Sequence, residues 1–257
     1  MMEDLNIEER RSKIIEFLNR EGKVRVVDLS KFFDISDVTI RSDLTELENS
    51  GALERVHGGA ISTGNAYYNM PLLERMKTNE DEKRKIALSV ASLINDGDTL
   101  MINSGTTTLY AVRELKNVRN LTVVTNSMAI AMEIGFCGNI QVVLLGGNFN
   151  PQYQFTYGDD ALNQLKKYKA DKLILAVDGI SADGGVTTYH HLEAEINRQM
   201  MTRVNRTIVA ADYTKVGRVS FALIDSLENV DMLVTNGTAN PEELKLIQEK
   251  GVEVKST

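Results

Sequence analysis

The stretch ISDVTIRSDLTELENSGALERVHGGA, Ile35 to Ala60, decides how the first part of the chain folds. Ser36 is a good N-cap, and Asp37 puts a carboxylate in a first turn where unsatisfied N–H groups and the helix dipole favour negative charge. Ile40, Leu44 and Leu47 recur at spacings of four and three, one apolar stripe at helical period, so that face is core. Val38, Thr39, Arg41, Ser42 and Thr45 fall largely off the stripe. Together with Ser36 they offer methyl, hydroxyl and guanidinium groups, the kinds that read base edges and phosphates in a major groove. Beyond Gly51, a plausible C-cap, Ala52 to Ile61 reads as two short strands turning at Gly58 and Gly59. Arg55 and His57 belong to this wing, near phosphate or a minor groove.

Upstream, Val24 to Phe33 supplies a preceding helix with Val27, Leu29, Phe32 and Phe33 as its apolar residues, and Asp34 and Ile35 form the turn. An earlier amphipathic helix, Ile7 to Arg20, ends at Gly22 and closes a three-helix core. Three helices with a tight second turn make a helix-turn-helix. Charge argues the other way: residues 1–61 hold nine Lys plus Arg against thirteen Asp plus Glu, whereas a DNA reader usually presents a basic patch. The sequence therefore predicts weak non-specific binding that depends on dimerisation. A small helical docking module is the bland alternative.

The rest of the chain bounds the class. Its 257 residues are 42% hydrophobic and 25% charged, an ordinary globular composition with a net charge of -7. No apolar run approaches the roughly 18 residues of a membrane span, and the N-terminus is charged rather than a leader. A cytoplasmic protein with no membrane association is expected. Cys137 stands alone, which excludes a disulfide framework and a thiolate metal site.

The N-terminal segment resembles the DeoR family of bacterial transcriptional regulators, on Ile35-Ser36, Thr39-Ile40-Arg41 and Asp43-Leu44, then Gly51, Leu53, Arg55 and His57 to Ala60. The family pattern has a second Arg where this chain has Ser42, one charge fewer on the DNA face. The organisation expected is a winged helix-turn-helix over 1–62, a linker over 63–71 and an α/β domain over 72–257.

In that third part, short β-branched runs alternate with helical stretches, the pattern of a mostly parallel α/β sheet. Strands are expected at 99–103, 122–126, 141–145, 172–177, 207–211, 232–235 and 252–255. Helices are expected near 107–115, 128–134, 159–168, 192–203 and 241–249, preceded by a helical stretch over 72–94 that the charged run Asn79 to Lys85 breaks. Ligands bind such sheets at the carboxyl ends of the strands. Ser104, Gly105, Thr106, Thr107 and Thr108 follow the first strand and open a helix, a cradle in which backbone N–H groups and three hydroxyls face one point. Without the Gly-Lys-Ser/Thr of a Walker loop or a G-x-G-x-x-G, a small phosphorylated molecule fits better than a nucleotide. A Thr-rich helix cap with no ligand is the alternative. Asn103, Asn126, Ser127, Gly146, Gly147, Asp178 and Thr187 line the same rim, and Lys215 follows a later strand where an ammonium could meet a phosphate.

Residues 70–250 also resemble the DeoR-type sensor domain, on Asp96 to Asp98, the Ser-Gly-Thr-Thr loop, Thr-Asn-Ser, Gly146 to Phe149, Asp-Gly-Ile, Gly-x-Thr-Thr and Lys-x-Gly. The resemblance implies a phosphorylated sugar or sugar acid as effector, operator DNA as partner, and a repressor of a carbohydrate-utilisation operon. Most members have Asp where this chain has Asn103. The same domain is similar to ribose-5-phosphate isomerase, which supplies a rival: a sugar-phosphate isomerase with an accessory docking domain. Against it, Asp178 matches the first catalytic acid of the motif, but Ser181 stands at the second and no Lys lies between Asp178 and Glu195. A non-enzyme follows, a retired pocket in which Glu195, or Glu193, holds sugar hydroxyls. His190 and His191 are adjacent on a helix, about 100° apart, and cannot easily share a metal ion, so neither metal nor cofactor is expected. Tyr153, Phe155 and Tyr157 alternate like an exposed strand or lid. Because one recognition helix reads few bases, a homodimer or homotetramer is expected.

Overall fold

The computed structural model describes residues 7–21, 23–49, 53–56, 58–62 and 71–257, and the chain divides into two compact units, 1–70 and 71–257. In the first unit, α1 (Ile7–Glu21), α2 (Val26–Phe33) and α3 (Asp37–Asn49) pack around Ile14, Leu18, Val26, Leu29, Ile40 and Leu44, all buried. Asp34 closes α2 in the left-handed region, φ 54°, with its N–H on the Ser30 carbonyl, which makes the tight turn into α3. The strands β2 (Leu53–Val56) and β3 (Gly59–Ser62) form the wing.

One sequence expectation changes here. Val24 does not open α2; it belongs to β1 (Lys23–Arg25), which pairs antiparallel with β3, Val24 opposite Ala60, so the sheet is three-stranded in the order β1-β3-β2. A β-branched residue beside a strand edge gains more from pairing than from a helical turn. Gly59 lies where a Cβ would meet the Val24 carbonyl at 2.0 Å, so this close approach requires glycine. Asp43 of α3 is 2% exposed and held by Arg10 (2.7 Å) and Arg11 (3.0 Å) of α1. Gly22, Gly51 and Ala52 and the linker residues 63–70 lie outside the described residues.

The second unit is built on a parallel sheet in the order β15-β14-β12-β9-β4-β5-β6, with β4 (Thr99–Ile102), β5 (Leu121–Thr125), β6 (Ile140–Leu144), β9 (Ala170–Leu175), β12 (Val204–Ala210), β14 (Met232–Thr235) and β15 (Glu253–Ser256). Its central strands are apolar on both faces, as a sheet covered on both sides requires. Leu100, Ile102, Val123, Ile174, Ile208 and Val234 face α4 (Leu72–Lys77), α5 (Glu80–Ala91), α6 (Thr106–Glu114) and α7 (Met128–Ile134). Met101, Val124, Leu173, Leu175, Val209 and Leu233 join the opposite core with α8 (Asp159–Leu165), α9 (His191–Met201) and α10 (Pro241–Glu249). The strand order runs outward from β4 in one direction and from β9 in the other, so the topological switch point lies between them.

Five shorter strands add to the expected pattern. The hairpin of β7 (Asn148–Asn150) and β8 (Phe155–Tyr157) follows β6, and a small sheet joins β10 (Gly179–Ser181), β11 (Gly185–Thr188) and β13 (Ala222–Asp225). Asn79, φ 51°, separates α4 from α5, the break expected in the charged run. Tyr153 and Phe155, 4% and 1% exposed, are core rather than lid, because their rings close around His190.

Asp43→Ala deletes two charged hydrogen bonds between α1 and α3 and is expected to destabilise the first unit by about 2 kcal/mol. Urea unfolding of the full chain reads this as an earlier first transition, while exposed Arg41→Ala stays within about 0.5 kcal/mol.

Candidate nucleic-acid interface and buried ligand site

On α3 the outward positions separate by what their polar atoms already do. Val38 is 72% exposed, and Ser42 and Arg41 are exposed; the Arg41 guanidinium lies 3.8 Å from Asp37 one turn earlier. These three stand clear of the fold. The Ser36 hydroxyl accepts from the Thr39 N–H (3.2 Å) and contacts the Thr39 hydroxyl (2.9 Å), so both residues build the helix start. Thr45 donates to the Arg41 carbonyl and accepts from Arg55 Nη1, each at 2.8 Å, and the Arg55 N–H donates to Glu48 (3.0 Å). Arg55 therefore braces the wing against α3 as well as adding charge beside it. His57 lies outside the described residues. Asp43 removes one acid from the surface but holds Arg10 and Arg11 to itself, so the basic face rests chiefly on Arg41 and its neighbours.

In the second unit the switch point is closed by Asn103. Its side chain donates to the Ala176 carbonyl (2.9 Å) and accepts from the Ala176 N–H (2.8 Å), tying the ends of β4 and β9 together. A carboxylate at this position could accept but not donate. Gly105 follows, where a Cβ would stand 2.4 Å from the Ala176 methyl, and no side chain caps the start of α6. Thr106 and Thr107 are buried in the first turn. The three hydroxyls do not converge: Thr108 donates instead to the Asn103 and Gly105 carbonyls (2.9 and 3.0 Å). Ser104 donates to the Tyr153 carbonyl (3.2 Å).

Several other rim residues hold the loops. Asn126 accepts from the Ser104 N–H and donates to the Thr156 carbonyl, and Ser127 caps α7 through the Ile130 N–H. Gly146 donates to Gln164, and Gly147 has φ 127°. Thr187 donates to the Gly179 carbonyl and accepts from the Ser220 N–H. These residues shape the rim by spending their polar atoms on one another.

The ionisable groups meet one layer away, around Asp178. This buried carboxylate accepts from the Thr188 hydroxyl and the Tyr189 N–H, both 2.9 Å, and pairs with Arg75 at 3.2 Å. Lys215, 6% exposed rather than solvated, adds charge from the turn after β12. Burial pushes Asp178 up, but Arg75, Lys215 and the two hydrogen bonds outweigh it and leave it below the usual carboxylate range. Glu193, on α9 and 3.5 Å from the Thr188 hydroxyl, is pushed up to about 8 by burial and the Asp178 charge. The pair thus splits into one ionised and one protonated acid.

Glu195 is exposed and takes no part, since two residues along a helix turn a side chain by about 200°. Glu193, three before Ile196 and seven before Met200, lies on the buried stripe, and this spacing could have singled it out. Tyr153 is pushed up to about 12, chiefly by burial, and its ring carries the Arg75 guanidinium at 5.5 Å from the centroid. Burial lowers His190, whose Nε2 lacks a hydrogen-bond partner among the described residues. Arg75 had no local sequence signal, because it comes from a helix that precedes every strand of the sheet. Among the described residues no group of His, Cys, Asp and Glu is arranged to hold a metal ion, and no helix is long and apolar enough to cross a membrane.

Comparisons with known proteins follow this division. Residues 10–65 match the DeoR-like helix-turn-helix domain and residues 78–237 the DeoR C terminal sensor domain. The HTH-type transcriptional regulator GolR of Listeria innocua is 33% identical over 96% of this chain and 97% of its own length. A putative aga operon transcriptional repressor of Escherichia coli O157:H7 is 34% identical over 96% and 92%, and the glycerol-3-phosphate regulon repressor of Escherichia coli K12 is 30% identical over 89% and 90%. A solved ribose 5-phosphate isomerase of Methanocaldococcus jannaschii is 19% identical over 53% of this chain and 54% of that one, with a TM-score of 0.36.

Glu193 is protonated in the folded protein and ionised in the unfolded chain between its ordinary value of 4.5 and about 8. The folded state binds the extra proton, so unfolding free energy falls as pH rises through this window, by at most about 1.4 kcal/mol per unit, and levels off above it. Asp178, lowered instead, acts only on the acid side, where its contribution is lost as pH falls through its folded value. Melting temperature against pH is expected to fall from about pH 5 to about pH 8 and to flatten in Glu193→Gln. Parallel profiles would contradict a protonated Glu193.

Proposed function

The chain belongs to the DeoR family of transcriptional regulators, and on that premise we propose that it represses a carbohydrate-utilisation operon in the cytoplasm under the control of a phosphorylated sugar or sugar acid. The observation that carries the first half is α3, with Val38, Arg41 and Ser42 clear of the fold and the wing braced to it through Arg55 and Thr45. A helix presented this way enters a major groove, its guanidinium reaching a base edge or phosphate. Ser36, Thr39 and Thr45 orient the helix and the wing through their hydroxyls, beside the face offered to DNA.

Support for the second half comes from the charge of the buried site. With Glu193 protonated, Asp178 is the one anion among Asp178, Glu193, Arg75 and Lys215, so this group carries an excess of positive charge. An anionic ligand answers that excess. Its hydroxyls suit Asp178, Glu193 and Thr188, and the uncapped start of α6, with Gly105, Thr106 and Thr107, is placed for its phosphate. Relatives named as regulators or repressors extend over most of the chain, and the names of two of them mention the aga operon and the glycerol-3-phosphate regulon. The isomerase alternative is set aside on the same grounds, and Ser181, in place of a second acid, serves as acceptor for the Gly184 N–H in a turn.

A regulator of this kind works as a symmetric oligomer, because one α3 contacts too few base pairs for specificity. Effector binding shifts the population between assemblies that can and cannot span two half-sites.

A mobility-shift titration with the chain's own promoter region is expected to show salt-sensitive binding that Arg41→Ala weakens about tenfold or more, one guanidinium contact contributing about 1–3 kcal/mol. Unchanged binding by Arg41→Ala would remove α3 as the reading element. A thermal-shift screen against phosphorylated sugars is expected to raise the melting temperature with at least one, by about RT ln(1 + [L]/Kd) of stabilisation. No shift with any of them would sink the effector assignment.

A further inference from the structure

Lys83 is among the largest side chains sealed inside the second unit, 1% exposed. It lies on α5 and donates from Nζ to two main-chain carbonyls, those of Arg75 (2.8 Å) and Thr78. Burying an ammonium is costly unless it is well hydrogen-bonded, and a Leu or Met would fill this volume at no such cost. What the ammonium does that an alkyl chain cannot is hold the C-terminal carbonyls of α4, where the helix dipole also favours positive charge.

The helix so held carries Arg75. α4 has only six residues, too few to be stable alone. It is fastened at its start by the Leu72 N–H on the Gln152 carbonyl (3.1 Å), at Met76 by the Tyr110 hydroxyl on its carbonyl (3.4 Å), and at its end by Lys83. From this seat the Arg75 side chain, 12% exposed, reaches Asp178 and lies over the Tyr153 ring.

We propose that Arg75 is an effector-binding residue, taking the acidic group of a phosphorylated or carboxylated ligand, and that Lys83 is its positioning residue, acting on the ligand only through the end of α4. The inference rests on the reading of this site as an effector site. Arg75 is poised for it: the guanidinium already faces the carboxylate at the centre of the cluster, and a planar fork can hold a second oxyanion alongside the first. Lys83 never touches the ligand. Its contribution is the orientation of a short helix that would otherwise fray.

A double-substitution cycle on the full-length protein tests this, with calorimetric titration of glycerol 3-phosphate, fructose 6-phosphate and inorganic phosphate as probes. Arg75→Gln is expected to weaken the tightest-binding probe at least tenfold. Lys83→Met is expected to weaken it by a similar factor, and the double variant by no more than the larger single effect, because residues acting through one contact are not additive. Far-UV circular dichroism and melting curves check that each variant folds; if Lys83→Met does not, Lys83→Gln, whose amide still donates to one carbonyl, replaces it. Affinity within twofold of the unsubstituted protein in Arg75→Gln overturns the ligand contact. Unchanged affinity in the Lys83 variant, or effects that multiply in the double variant, overturn the positioning role. In each of these cases the unsubstituted protein still binds a probe and the effector site stands. If the unsubstituted protein binds none of the three, the effector reading fails and the proposal fails with it.

Discussion

A carboxylate removed from water must be matched by charge and hydrogen bonds, and the second unit is arranged around meeting that demand at Asp178. The matching groups come from parts of the chain far apart in sequence: Arg75 from α4, Thr188 and Tyr189 from the end of β11, Lys215 from the turn after β12. Each is held by something else, Arg75 by Lys83 and Thr188 by its strand pairing with β13. Burial, together with the charge at Asp178, keeps its neighbour Glu193 protonated. The same buried charge pairs with Arg75, on a helix that begins at the second residue of the unit.

The first unit repeats the device on a smaller scale. Asp43 interrupts the apolar stripe of α3, and the two arginines of α1 that satisfy it set how α1 and α3 cross. A buried ion pair of this kind adds little net stability compared with an apolar contact, but a missing partner is costly, which penalises other arrangements of the helices. With α1 tied to the inner face of α3 and the wing tied to its side through Arg55, the outer face is left to Val38, Arg41 and Ser42. The acidic composition of residues 1–61 matters less than their placement, although Arg10 and Arg11 are both committed to Asp43.

Much of the fold was legible in local pattern. The seven parallel strands and their helices follow from β-branched runs and helical spacing, because a sheet buried on both faces needs nearly continuous apolar strands. The recognition helix follows from Ser36, Asp37 and the stripe at Ile40, Leu44 and Leu47. Elements made by pairing with distant residues were not legible: β1 exists because Val24 faces Ala60, and β13 is a short strand whose partner β11 lies tens of residues away. At the candidate site, glycines and hydroxyls at strand ends pointed to the loops around the switch point. Which of them keep polar atoms for a ligand depends on loop packing, and Thr108, Asn126 and Thr187 turned out to bond to the fold itself.

By itself the sequence determined the two-part organisation, the face of α3 that looks outward and the loops in which a ligand site would lie, since these depend on periodicity and on the conformational preferences of neighbouring residues. Tertiary structure alone decided that Glu193 rather than Glu195 enters the site, that Lys215 is buried, and that Arg75 completes the cluster from a helix ahead of the sheet. Those outcomes depend on electrostatic matching in a medium of low dielectric, and such matching joins groups by distance in space, of which their separation along the chain gives no measure.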